Sequence, residues 1–451
     1  MDWLKIAKTY EKEYIDKTSK LLQIPTVLEK YDELNIEEPF GHDIRRALDY
    51  MLDQAKQDGF SVLDVDHYAG HIEMGSGDEI VGILGHLDVV PTGGAWDVPP
   101  FSATLKDGKI ISRGSMDDKG PTMAGYIAMR MIQDQHIELN KKVRLILGCD
   151  EESGMRGIIR YLEKQQMPDL GFAPDADFPL IYAEKGIYSF DIIGVEDNSL
   201  IESIHAGERY NIVPDKCVAV LNKDVSEAFY HYLDKLHLKG TVKGNTYTIY
   251  GKNAHAAWPH LGVNAIFLMA EFLEMVTDSA LIRFIHQYFV NDTYGKKLGI
   301  DFFHDEMKEM TLNLALINYE SGHFLIGSNI RYPIEYPFEE NAEKTSKIAD
   351  EFGFKYVGHH NSKPHYVSPD DPLVKTLYET YQKYTNDYTT PLLTIGGGTY
   401  ARTLKKAVAF GPNMPGKEDL AHQANEYLII EDMIMAAAIY AECIVKLAGK
   451  N

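Results

Sequence analysis

Five stretches of the chain combine histidine and carboxylates in ways that could do chemistry. Gly85-His86-Leu87-Asp88 carries a His-x-Asp pair. Its imidazole could bind a divalent metal, and a nearby carboxylate could fix the ring's orientation. Gly114-Ser115-Met116-Asp117-Asp118-Lys119-Gly120-Pro121 sets two adjacent carboxylates in a turn, and Asp150-Glu151-Glu152-Ser153-Gly154 strings three acids together. Pro174-Asp175-Ala176-Asp177 is a further acidic turn, and His422 lies far downstream in Glu418-Asp419-Leu420-Ala421-His422-Gln423-Ala424-Asn425-Glu426. Nitrogen and oxygen donors without thiolate suit zinc, and also manganese or cobalt. Each stretch also has an ordinary reading: a packed histidine, an Asp helix cap, a solvated charge run, a loop. No His-Glu-x-x-His fingerprint is present, and spacing alone does not bring the five stretches together.

The elements that must position them are legible. Ile80-Val81-Gly82-Ile83-Leu84-Gly85 and Val143-Arg144-Leu145-Ile146-Leu147-Gly148 are short, mostly apolar runs that suit buried strands. Between them Pro121 marks a helix start, with Ala124, Ile127, Ala128, Met131 and Ile132 as its inner face. Ile44, Ala47, Leu48, Met51, Leu52 and Ala55 predict a helix over 41–59. Strand, helix, strand predicts an α/β/α sandwich on a mostly parallel or mixed sheet. His86 and the acids 150–152 would then emerge at strand C-termini, where such sheets bind ligands. Three acids there are costly unless a cation compensates them.

From about 187 to 364 short alternating segments such as Thr246-Tyr247-Thr248-Ile249-Tyr250 mix with helical ones such as 264–276, an α+β texture. The expected organisation is a catalytic domain of 1–186 and 365–451 enclosing an inserted 187–364 unit.

The net charge of −22 argues against nucleic acid or an anionic membrane as partner. Cys149, Cys217 and Cys443 are too few and too far apart for a disulfide framework or a thiolate zinc site. The N-terminus lacks a basic start and apolar run. In the apolar stretch Met433 to Leu447, Glu442 and Lys446 mark a core-facing helix rather than a membrane span. The expected location is the cytoplasm.

Taken together, these motifs resemble the co-catalytic zinc peptidase and aminoacylase family that includes carboxypeptidase G (metallopeptidase family 20). Within it they are most similar to the bacterial dipeptidase V, carnosinase-like branch. The resemblance rests on the five stretches above, on Trp96 to Pro100 and Gly251 to Ala265, and on Asn329-Ile330-Arg331-Tyr332-Pro333 and Gly396 to Arg402, all in family order. It implies two zinc ions, with manganese or cobalt as alternatives. His86 and Asp175 would hold one, Glu152 and His422 the other, and Asp117 would bridge, with a cis Asp117–Asp118 bond. Asp88 would orient His86, and Glu151 would be the general base for a water activated between metals about 3.5–4 Å apart.

The inserted unit resembles the branch's lid. His255 would donate to the oxyanion, Asn211 would contact substrate, and Arg331 would grip its C-terminal carboxylate, with Gly398 and Thr399 offering backbone N–H groups. Read without the resemblance, His255 could simply pack or cap, Asn211 cap a turn, Arg331 sit on the surface and the glycines form a plain loop.

The implied activity is metal-dependent hydrolysis of unblocked dipeptides, β-alanyl-histidine among them, by a monomer that opens and closes. The alternatives are an N-acyl amino acid amidohydrolase (deacetylase or desuccinylase) and a non-catalytic metal-dependent binding protein.

Overall fold

The computed structural model describes residues 1–449 except Asp197. These form two compact units. The first comprises Met1–Ala183, Val367–Leu393 and the chain from Gly398 on; the second comprises Glu184–Tyr366 and Thr394–Gly397.

The first unit is built on a mixed sheet. In spatial order seven of its strands are Ser61–Val65, Ala69–Gly75, Lys142–Gly148, Ile80–His86, Leu170–Ala173, Ala407–Ala409 and Ile181–Glu184. The four central strands run parallel, and antiparallel strands flank them on both sides. Every residue of Ile80–His86 is buried, as a strand covered on both faces requires. Successive side chains point to opposite faces, and helices cover each. Ile83 and Leu145 face Gly125 of the helix Lys119–Asp134, which has Pro121 near its start. Leu84 and Ile146 pack instead with Ile158 and Tyr161 of the helix Arg156–Lys164 and with Tyr400. The α/β/α layering expected from the strand–helix–strand pattern is therefore present.

The helix over 41–59 is His42–Gln57, and its buried residues are the six that the periodicity selects. The apolar C-terminal stretch is the helix Ile430–Ala448, whose Glu442 pairs with Lys383 and Lys446 while most of its apolar residues are buried. Among the described residues no helix is long and apolar enough to cross a membrane, and the three cysteines are buried and free.

The second unit is an eight-stranded antiparallel sheet. Its long central pair, Thr311–Glu320 and His323–Tyr332, shows a two-residue alternation. Leu312, Leu314, Ile330 and Tyr332 join the apolar core with the helices Ala265–Glu274 and Ala280–Tyr288. Thr311, Asn313, Asn329 and Arg331 occupy the other face, all buried. Four polar side chains at alternate positions on two paired strands make a polar face that must satisfy its own hydrogen bonds.

Candidate metal centre

The parallel strands explain why distant acids meet. Ile80–His86 pairs in parallel with Lys142–Gly148, with His86 opposite Gly148, and with Leu170–Ala173 on its other side. Their C-terminal ends share one edge of the sheet, so His86, the 150–152 turn and Asp175 emerge there. Asp117 arrives from the turn before the helix Lys119–Asp134, and His422 from the segment after the short strand Pro412–Asn413.

Two overlapping groups result. His86 Nε2 lies 3.1 Å from Asp117 Oδ1 and 3.8 Å from Asp175 Oδ2. His422 Nε2 lies 2.9 Å from Asp117 Oδ2 and 3.1 Å from Glu152 Oε2. Asp117 belongs to both, one oxygen to each. His86, Asp117 and Glu152 each offer a donor atom within 4.8 Å of the others. The Asp117–Asp118 peptide bond is cis, as the resemblance implies.

The donors fit a divalent cation on their own chemistry. His86 Nδ1 donates to the Asp88 carbonyl at 2.9 Å, which leaves Nε2 as the ligand atom; that nitrogen is buried without a hydrogen-bond partner. Burial opposes charge on His86, yet Asp117 and Asp88 outweigh it and drive its pKa well up. The same balance, with Asp117 and Glu152 opposing burial, pushes His422 up to about 11. Burial, reinforced by neighbouring carboxylates, raises Asp175 and Glu151 well above the usual carboxylate range. The cluster calls for positive charge, which bound cations would supply in place of protons.

Asp88 reaches both the His86 ring and the 150–152 turn. Its carboxylate is 3.6 Å from His86 Nδ1, and the ring is held by the Asp88 carbonyl. The carboxylate instead accepts the backbone N–H groups of Glu151 at 3.0 Å and Glu152 at 3.1 Å. It fixes the turn that presents both glutamates. Asp150 is spent on Arg156, which reaches its two oxygens at 2.6 and 2.8 Å. Asp118 is not a simple helix cap either: its Oδ2 accepts from His86 N and Thr122 Oγ1.

Two residues of this region escape a sequence reading. Glu426 is fully buried. Its Oε2 accepts from Arg113 at 2.6 Å and Gly114 N at 3.2 Å, and its Oε1 from Met116 N at 2.8 Å and Asp117 N at 3.2 Å. Arg113 in turn reaches the carbonyls of Gln423, Pro91 and Thr92. This ion pair ties together the chain on both sides of the cluster. The only available signal was Glu426 lying four residues after His422.

In the second unit, Ala256 N donates to the Asn211 carbonyl at 2.9 Å, and Ile212 bridges His255, so Asn211 and His255 are neighbours. His255 is exposed, and its Nδ1 accepts from Ala257 N at 3.3 Å. Arg331 is not a surface residue. It is 5% exposed, with Nε on Asn329 Oδ1 at 2.8 Å and Nη1 on the Gly396 carbonyl at 3.0 Å. Asn313, unmarked by any motif, donates through Nδ2 to the carbonyls of Tyr210 and Ile212 at 3.2 and 3.0 Å, and so brackets Asn211. In the first unit the Thr399 hydroxyl caps a short helical turn through Ala401 N, and Gly398 lies against the Arg402 side chain.

The model of peptidase family M20/M25/M40 matches residues 82–446. Provisionally named dipeptidases of Staphylococcus haemolyticus and Staphylococcus aureus USA300 are each 40% identical over 469 aligned positions, covering 99% of this chain and 99% of theirs. Among solved structures, human carnosine dipeptidase 1 matches with a TM-score of 0.60 at 15% identity, covering 99% of both chains. The Saccharomyces cerevisiae di-peptidase Dug1p matches with a TM-score of 0.61 at 15% identity, covering 99% of this chain and 98% of its own. These two share the fold. The family match spans the strand-end cluster and the parallel strands from Gly82 on, and with it the chain belongs to peptidase family M20/M25/M40, a hydrolase acting as a peptidase.

Proposed function

We propose that the chain is a metal-dependent dipeptidase of unblocked dipeptides. The observation that carries the reading is that His86, Asp117 and Glu152 bring donor atoms within 4.8 Å of one another, with Glu151 on the same turn as Glu152. The names of the 40%-identical relatives, and of two proteins sharing the fold, support the dipeptide as substrate.

In this reading His86 and Asp175 would hold one divalent ion, His422 and Glu152 would hold a second, and Asp117 would serve both. Zinc suits the donor set, with manganese or cobalt as alternatives. When bound, such ions supply the charge that lowers a water's pKa toward neutrality. Glu151 takes the proton of the attacking water on its carboxylate and returns it to the departing amine nitrogen. His255 donates to the carbonyl oxygen as charge grows on it. Arg331 grips the C-terminal carboxylate, with backbone N–H groups at Gly398 and Thr399 offered to the same group. Asn211, beside His255, contacts the substrate backbone.

Chelation should abolish turnover, and reloading with zinc, manganese or cobalt should restore it. The test is a dipeptide panel, β-alanyl-histidine included, assayed beside N-acetyl and N-succinyl amino acids. Turnover of acylated substrates alone would make the protein an N-acyl amino acid amidohydrolase. Metal binding without turnover of any of them would make it a binding protein.

Asn313→Ala removes both hydrogen bonds that bracket Asn211. It should lower kcat/KM about tenfold, the equivalent of roughly one or two hydrogen bonds. Metal content should be unchanged, because the proposed ligands lie in the other unit. Steady-state kinetics with metal analysis checks this, and an unaltered kcat/KM would take Asn211 out of substrate binding.

A further inference from the structure

Beside Arg331 the second unit holds a cavity of about 190 Å³, with Trp258, His260, Tyr294, Met307, Thr311 and Gly396 among its walls. Small-molecule sites usually span roughly 300–1,000 Å³, so this one is the size of a single side chain. Its link to Arg331 is direct. Thr311 is the cross-strand partner of Arg331, and the Gly396 carbonyl accepts from Arg331 Nη1 at 3.0 Å.

Three of the lining side chains are rings, Trp258, His260 and Tyr294. Trp258 is 48% exposed, a large apolar surface left open to solvent. Its indole lies 5.7 Å from the His255 imidazole, so one ring borders both that histidine and the cavity. His260 and Tyr294 stack nearly parallel, 6.1 Å between centroids and 20° between planes. Met307 is buried at 1% exposure and adds a polarisable thioether, which packs well on ring edges. The charged groups at the rim are Lys185, Lys308 and Glu309. The Lys185 ammonium bonds the Glu309 carbonyl, so the two lysines leave the rim more positive than negative.

We propose that this cavity receives the side chain of the substrate's C-terminal residue and selects a planar, uncharged ring there. The proposal rests on the dipeptidase reading, in which Arg331 holds the C-terminal carboxylate. In an α-amino acid the carboxylate and side chain leave the same carbon. A carboxylate held at Arg331 therefore puts the side chain within reach of the Thr311 and Gly396 wall. Stacking among Trp258, His260 and Tyr294 favours aromatic and imidazole rings, while the positive rim disfavours lysine and arginine side chains.

The test compares kcat/KM for Ala-Phe, Phe-Ala and Ala-Ala in the full-length, metal-loaded wild type and in Trp258→Ala and His260→Ala. Both replaced side chains are exposed, so the core stays intact. The wild type should prefer Ala-Phe to Ala-Ala. In each variant the Ala-Phe to Ala-Ala ratio should fall about tenfold, while the Phe-Ala to Ala-Ala ratio stays within about twofold. Using ratios removes any general effect of Trp258 on His255. An unchanged Ala-Phe ratio in both variants, or a loss confined to Phe-Ala, overturns the subsite and leaves the dipeptidase reading standing. No turnover of any dipeptide by the wild type overturns the dipeptidase reading, and the subsite falls with it.

Discussion

Glu151→Ala should bind metal as the wild type does and lose about 10²–10⁴-fold in kcat, the range for a positioned general base. The geometry makes this a clean test. The turn that carries Glu151 is held by the Asp88 carboxylate through the backbone N–H groups of Glu151 and Glu152, at 3.0 and 3.1 Å. Removing the Glu151 side chain therefore leaves Glu152 where it is. None of the ion-pair contacts among His86, Asp117, Glu152, Asp175 and His422 involves Glu151. Burial raises the Glu151 carboxyl well above its usual range, which moves it toward the basicity a general base needs near neutral pH. The measurement is kcat together with metal content per chain. Turnover within about tenfold of wild type would remove Glu151 from proton transfer, whereas loss of metal would make it a ligand.

Glu426→Ala is expected to destabilise the first unit by about 3–5 kcal/mol, the range for leaving one partner of a buried ion pair without the other. Arg113 is 1% exposed and would stay buried without its carboxylate. The change also strips acceptors from the backbone N–H groups of Gly114, Met116 and Asp117. Asp117 is the carboxylate shared by both histidine groups, so weaker metal retention should accompany the loss of stability. Glu426→Gln keeps an acceptor but loses the charge and should fall between the two. Denaturant unfolding of the metal-loaded proteins, with metal retention against a competing chelator, measures both effects. A change in stability below about 1 kcal/mol would mean that the Arg113–Glu426 pair does not anchor the Asp117 turn.

The two cases differ in how visible they were in the sequence. Glu151 stands in a run of three acids that ends a buried strand, an arrangement with a local cost that asks for an explanation. Glu426 and Arg113 are 313 positions apart, and each looks alone like a surface charge. Asn313 is hidden for the same reason. It sits in a strand as one polar residue among several, and only the folded path of residues 210–212 makes it a clamp. Asp88 shows a subtler limit. Its nearness to His86 was legible, but which of its atoms faces the ring depends on where the 150–152 turn comes to lie.

What the sequence determined by itself is local chemistry and local form. Unbroken apolar runs specify strands covered on both faces, Pro121 and its periodic successors specify a helix, and histidine and carboxylate side chains without thiolate specify the class of donor. These follow from interactions among near neighbours, which a one-dimensional pattern records. The motifs in family order added the list of residues worth watching. Tertiary structure alone decided that the donors meet. The order of parallel strands in the sheet puts the ends of Ile80–His86, Lys142–Gly148 and Leu170–Ala173 side by side, and pairing between strands remote in sequence leaves no mark in any single segment. The same holds for the buried pair that fastens the Asp117 turn and for the ring-walled cavity beside Arg331.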